Sequence, residues 1–143
     1  MNPTFSQLRL SHAGALQLLD AAIEKAVAMK QPQCIAIVDE GCNLLAFVRM
    51  DGAKVLSEKS AIHKAMTAAS GRVPTGNTEE GLAAKLAAAT GGLSTNLKGG
   101  LPIIVQGQVI GGIGVGSGTG DQDREVGNHA LAAFAGAQTF KFD

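Results

Sequence analysis

The sequence predicts an α+β fold: a small, mostly antiparallel, five-stranded sheet flanked by helices. Three observations carry this. The β-type apolar segments come as two hairpins, around Asp39-Glu40-Gly41 and Gln106-Gly107. Amphipathic helical patterns precede, separate and follow those hairpins. No strand–helix–strand alternation of the doubly wound kind is present, so the order helix, two strands, two helices, two or three strands, helix favours helices stacked on an antiparallel sheet.

Ser11 is placed to cap the first helix, where Leu16, Leu19, Ile23 and Val27 recur at helical spacing to about Met29, before Pro32. Residues 34–38, CIAIV, form a continuous apolar run with β-branched members, which reads as a strand buried on both faces. Residues 43–50 are its hairpin partner. A turn at 39–41 sets Val38 opposite Cys42 and Cys34 opposite Ala46, too far out of register for a disulfide. Ser57 is expected to cap a second helix that Gly71 and Pro74 end, and Asn77 with Glu80 to start a third. LSTNLKGG, residues 93–100, is irregular or a poor edge strand. Pro102 suits a strand start because the strand does not need its missing N–H there. Thr119 and Gln122 make a capping box for the last helix. Asp121 and Asp123 stand at its positive end, and Val126, Ala130 and Phe134 form its apolar stripe.

The chain has 143 residues with 12 basic and 12 acidic side chains and no Trp or Tyr. Residues 1–143 are expected to form one domain, large enough to bury roughly 70% of the surface its unfolded chain exposes. The charge balance and the missing aromatics argue against nucleic-acid binding, and near-neutrality favours self-association. No apolar run is long enough for a membrane span. MNPTFSQLRL lacks a basic-then-apolar signal pattern, so the expected location is the cytoplasm.

Four stretches could carry chemistry. Gly112, Gly114 and Gly116 alternate with Ile113 and Val115, so one strand face is bare. Either a helix backbone or a flat ligand can come close there. The loop beyond fits neither phosphate-binding glycine motif. In the second helix, Ser60, His63, Lys64 and Thr67 share a face by i, i+3, i+4, i+7 spacing, which is either its solvated side or a ligand nitrogen beside a cation. His12 and His129 complete the histidines, and no two have local zinc spacing. Glu125, four residues before His129, is placed to hold it as a surface pair. Asp121-Gln122-Asp123 lacks the Gly and Glu positions of a calcium loop, and no Gly-x-Ser-x-Gly elbow supports a serine triad. Finally, Arg49, Asp51 and Gly52 close the first hairpin, as a site or as an Arg49–Asp51 or Arg49–Asp39 pair.

Taken together, LRLSHAGALQLLDAAIEKA, CIAIVDEGCNLLAFVRMDGA, HKAMTAA and GGLPIIVQGQVIGGIGVGSGTGDQDREV resemble the GlcG/HbpS-like proteins, the haem-degrading domain family that includes the C-terminal domain of PduO-type proteins. The resemblance implies a profilin-like, three-layer α/β/α fold and a homo-oligomer, from tetramer to octamer. It implies haem binding or handling, with degradation in some members. It also leaves a second reading open: a non-catalytic accessory or sensor in glycolate or diol/glycerol metabolism, binding a small acid or a corrinoid. The family's acidic Gly turn falls on Asp39 to Gly41, with Cys42 replacing its usual Gly or His. Its R-x-D-G-A falls on Arg49, Asp51, Gly52 and Ala53, and its K-A-x-T-A on Lys64, Ala65, Thr67 and Ala68. The cofactor-contacting candidates are therefore His63, His12, Arg49, Lys64, Thr67, Asp39, Asp51 and Gly114. For the iron, His63 ranks first, His12 second and His129 last. Arg49 or Lys64 is expected to pair with propionates.

Overall fold

The computed structural model describes residues 1–142. Its elements are α1 (His12–Ala28), β1 (Cys34–Asp39), β2 (Leu44–Arg49), α2 (Ser57–Gly71), α3 (Glu80–Ala89), β3 (Gly100–Val105), β4 (Gln108–Gly116) and α4 (Gly120–Ala133). The strands form one antiparallel sheet in the order β2-β1-β4-β3. The sheet among the described residues has four strands, not the expected five. Residues 93–99 add no strand because their backbone is held by side chains: the Thr75 hydroxyl donates to Leu97 O at 2.6 Å, and the Thr67 hydroxyl accepts from Thr95 N–H at 3.0 Å.

The central strand β1 is buried along its whole length, as its unbroken apolar run requires. Ile35 and Ile37 face a core shared with α1 and α4, where Leu18, Ile113, Val126 and Leu131 are fully buried. Cys34, Ala36 and Val38 face the other way, against Ala61, Ala65 and Ala69 of α2. Helices thus cover both sheet faces, α1 and α4 on one and α2 on the other.

The α2 side resolves the two readings of the glycine face. Gly112 and Gly114 lie opposite Val38 and Ala36 of β1. A Cβ on Gly114 would run into the carbonyl oxygen of Ala61, and one on Gly112 into that of Ala65. The bare face is filled by helix backbone. Gly114 is therefore a packing residue, and the expectation that it touches a cofactor is corrected.

Several local expectations hold in detail. Ser11 caps α1 by accepting from Gly14 N–H, and Thr119 and Gln122 form the reciprocal capping box of α4. Gln106 and Gly107, at φ +54° and +73°, make the two-residue left-handed turn of the second hairpin. Others do not hold. Ser57 caps nothing: α2 is entered through a turn at Val55 and Leu56, so Ser57 already has helical backbone. Glu79 caps α3 instead of Asn77, its carboxylate accepting from Gly81 and Leu82 N–H at 2.7 and 2.9 Å, and those bonds lower its pKa.

The first hairpin is also longer than expected. Val38 pairs with Leu44 and Cys34 with Arg49, across an irregularity between Ile37 and Val38. Asp39 causes the longer turn by accepting from both Gly41 and Asn43 N–H at 2.9 Å. Both cysteines are free thiols.

The close contact of α2 with β4 gives a direct prediction. Gly114→Val should destabilise the protein by about 3 kcal/mol or more in urea unfolding, because backbone must move to admit the side chain. Val115→Ala, a deletion on the other face, leaves that contact intact and should not separate α2 from the sheet.

Candidate functional site

The polar stripe of α2 divides into buried and accessible parts. Lys64 is 4% exposed. Its Nζ donates to Val115 O at 2.8 Å and lies 3.0 Å from Asp123 Oδ2 of α4, so the ion pair spans the end of the sheet. Asp123 Oδ1 in turn accepts from Gly118 N–H at 3.1 Å. Burial pushes the Asp123 carboxyl up from the ordinary aspartate range, against the opposing pull of Lys64 and the Gly118 N–H. Lys64 is thus a structural cation and is unavailable to a propionate, which corrects its expected role.

The remaining candidates do not gather at one place. Arg49 lies opposite Cys34, whereas Asp39 is at the far end of the same strand, opposite Gly111. Five residue steps separate those ends, about 17 Å of extended chain. Arg49 and Asp51 are exposed, and neither expected Arg49 pair forms among the described residues. Asp39 holds its own turn and meets Arg9 at 3.9 Å. His12 is exposed at the start of α1, across the sheet from α2. Glu125 pairs with Lys25 at 3.3 Å, so the expected tie to His129 is replaced. No group of three His, Cys, Asp or Glu side chains that could hold a metal ion occurs among the described residues.

His63 and Thr67 remain together on the accessible side of α2. His63 is half-buried. Its carbonyl accepts from the Thr67 hydroxyl at 2.7 Å, and that hydroxyl accepts from Thr95 N–H at 3.0 Å. Thr67 therefore ties the 93–95 segment to the helix. Beside it lies a cavity of about 380 Å³ between the C-terminal half of α2, the 73–76 segment, α3 and residues 93–96. Met66, Val73, Pro74, Ala83, Leu86 and Leu93 supply its apolar lining, and Cys42 reaches it from the first hairpin.

Cys42 has left-handed backbone, φ +66°, and its thiol lies 3.4 Å from Met66 O. Burial, and next the Asp39 charge, push that thiol up, so it is protonated at neutral pH. Arg124 braces the 75–77 wall from behind: Nη2 donates to Thr75 O at 3.2 Å, and the guanidinium stacks 4.3 Å from the Phe142 ring centre.

Sequence reasoning missed this cavity. A signal was present in α3, whose apolar stretch EGLAAKLAAA buries none of its residues, with Leu82 and Leu86 50% and 40% exposed. A helix that apolar, without a core to face, marks a surface that binds something.

With the geometry in hand, comparison with known proteins identifies the class. The family model described as haem degrading protein HbpS-like matches residues 10–132, and the chain belongs to that family. Among individual proteins, it is 35% identical to a 15.0 kDa protein from the dhaT-dhaS intergenic region of Citrobacter freundii, across 94% of this chain and 99% of that one. It is 39% identical to protein GlcG of Escherichia coli K12, across 74% and 80%. It is also 30% identical to the corrinoid adenosyltransferase PduO of C. freundii, across 88% of this chain but 39% of that longer one. Solved structures share the fold, two of them closely in length. Klebsiella pneumoniae ORFY has a TM-score of 0.85 at 30% identity, covering 94% of this chain and 97% of its own. A PduOC:heme complex has a TM-score of 0.84 at 27% identity, covering 94% and 100%.

The buried pair makes a prediction with a pH signature. Lys64→Met should cost about 3–5 kcal/mol, because Asp123 is left buried without its cation. The double variant with Asp123→Leu should recover much of that loss in a double-mutant cycle. In Lys64→Met the folded-state pKa of Asp123 stands above its unfolded value near 3.9. The loss in that variant relative to the unaltered protein should therefore be smallest below about pH 4 and grow as pH rises through the raised pKa. Urea unfolding from pH 3 to 8 checks this.

Proposed function

We propose that this chain is a haem-binding protein that works as a homo-oligomer in the cytoplasm, with the cleft beside α2 as its haem site. The observation that carries the reading is the largely apolar cavity lined by Thr67, one helical turn from His63, in a member of the HbpS-like family. A family neighbour of the same fold has been solved as a haem complex.

The residues present suit such a group in two respects. The cavity walls are largely apolar, as the hydrocarbon part of a macrocycle needs. His63 is half-buried one helical turn before Thr67, which lines the cavity, and imidazole is a common axial ligand of haem iron. In this reading His63 holds the iron, Thr67 keeps the 93–95 wall closed against α2, and α3 shields the hydrophobic part from water. Bound iron with an open coordination position would supply redox chemistry, which is the route to haem degradation. Two free thiols agree with a reducing compartment.

Self-association is supported by the apolar surface that α3 and its flanks leave uncovered. Val73, Leu82, Leu86, Leu93 and Leu97 are each 40–61% exposed. Small residues along α3 let a second chain approach closely, and closed symmetric assembly is the ordinary outcome for such a surface. Sedimentation at micromolar concentration should give a discrete species of four to eight chains. A single 14.5 kDa species would remove the oligomer from the reading.

The similarity to PduO supports the alternative ligand, a corrinoid, with this chain acting as a non-catalytic accessory. One experiment separates the two. Protein titrated with haemin should give a saturable Soret shift, and cobalamin should leave its own spectrum unchanged. His63→Ala should weaken haemin binding at least tenfold, while His12→Ala and His129→Ala should leave it within about twofold. An unchanged spectrum with haemin and a shift with cobalamin would reverse the assignment.

A further inference from the structure

The lining of the α2–α3 cavity has a consequence for what can enter it. No side chain with a formal charge, and no imidazole, lines it. Thr67, Thr75, Thr90 and Asn96 already have hydrogen-bond partners, while the Ser70, Thr78 and Ser94 hydroxyls also line it and carry no charge. The Thr75 hydroxyl donates to Leu97 O and accepts from Gly100 N–H at 2.9 Å. The Thr90 hydroxyl donates to Leu86 O at 2.8 Å and accepts from Ser94 N–H at 3.0 Å. Asn96 binds Thr78 through both its amide nitrogen and its oxygen, at 2.7 and 3.0 Å. Thr67 is engaged with His63 and Thr95. Its apolar lining is thioether, methyl and methylene from Met66, Val73, Pro74, Ala83, Leu86 and Leu93.

A charged group entering this space would lose much of its water and meet no counter-charge, only neutral hydroxyls, a heavy penalty. An apolar group would lose nothing by the same transfer and would cover Leu86 and Leu93, which solvent now touches. The volume, about 380 Å³, lies within the range of small-molecule pockets, about 300–1,000 Å³.

We propose that the cavity between α2 and α3 binds an uncharged, apolar group and leaves any charged part of its ligand outside in solvent. Resting on the haem reading above, the entering part is the vinyl- and methyl-bearing edge, with the two carboxylates at the mouth.

The test uses two fluorescent probes that share a skeleton and differ by a sulfonate: uncharged N-phenyl-1-naphthylamine and anionic 8-anilinonaphthalene-1-sulfonate. The neutral probe should saturate at one per chain and bind at least tenfold more tightly than the anionic one. Ser70→Phe on α2 and Ala83→Phe on α3 fill the cavity from opposite walls. Each should weaken the neutral probe at least tenfold with an unchanged far-UV circular dichroism spectrum, and if one variant fails to fold the other decides. Haemin should displace the neutral probe from the wild-type protein. Equal or tighter binding of the sulfonate, or a neutral probe indifferent to both Phe variants, overturns the proposal. Haemin that binds without displacing the probe overturns the shared seat and leaves haem binding standing. A probe that binds as expected while haemin gives no Soret shift removes the haem reading and leaves the cavity's selectivity in place.

Discussion

The close approach of α2 to β4 is the constraint on which the rest of this structure depends. Gly112 and Gly114 offer no side chain on that face, and Ala61, Ala65 and Ala69 offer only methyl groups in return. Helix backbone therefore rests on strand backbone. Such a contact tolerates almost no variation in volume, so it fixes both the height of α2 above the sheet and its rotation. From that one placement follow the burial of Lys64, the exposure of the His63 and Thr67 side, and the position of the α2 C-terminal half against the 73–76 segment.

The Lys64–Asp123 pair acts on top of this contact. It connects α2 to α4, which otherwise lie on opposite sides of the sheet, and it holds the backbone of Val115 and Gly118 between them. Its value is positional as much as energetic. A buried ion pair gains little over apolar packing, but breaking one side is costly, so alternative arrangements of the two helices are disfavoured. Gly99 lies against this pair, with room for no Cβ between Val115 O and Asp123. The entry to β3 is thereby fixed as well.

The cavity arises where that close packing stops. Beyond Ala69 the chain leaves α2 through Arg72 in left-handed conformation, the 73–78 and 93–97 segments bind to each other through Asn96 and Thr75, and Thr67 of α2 holds Thr95 N–H. Helix α3 closes the far side without entering either core. The inner wall is thus packed helix, and the outer wall is held mainly by hydroxyl and amide bonds.

Local chemistry written in the sequence determined a large share of this protein. Ser11 and Thr119 cap their helices, Gln106-Gly107 turns its hairpin, and the apolar run of residues 34–38 is the buried central strand. Each depends on neighbours within a few positions, so each is legible from spacing alone. The motif order across the chain also identified the family. The candidate site was legible only in part. His63 and Thr67 were singled out, but so were Lys64 and Gly114, which packing removed from solvent. Helical periodicity groups residues on a face without saying how far that face extends into the core. Arg49 and Asp39 looked adjacent in the hairpin sequence but stand at opposite ends of β1, because strand pairing, not chain proximity, sets their separation. Cys42, Met66 and Leu86 come from three separate elements, and no spacing rule could unite them. Their meeting was decided by tertiary structure, through the height at which a glycine-faced strand lets an alanine-faced helix rest.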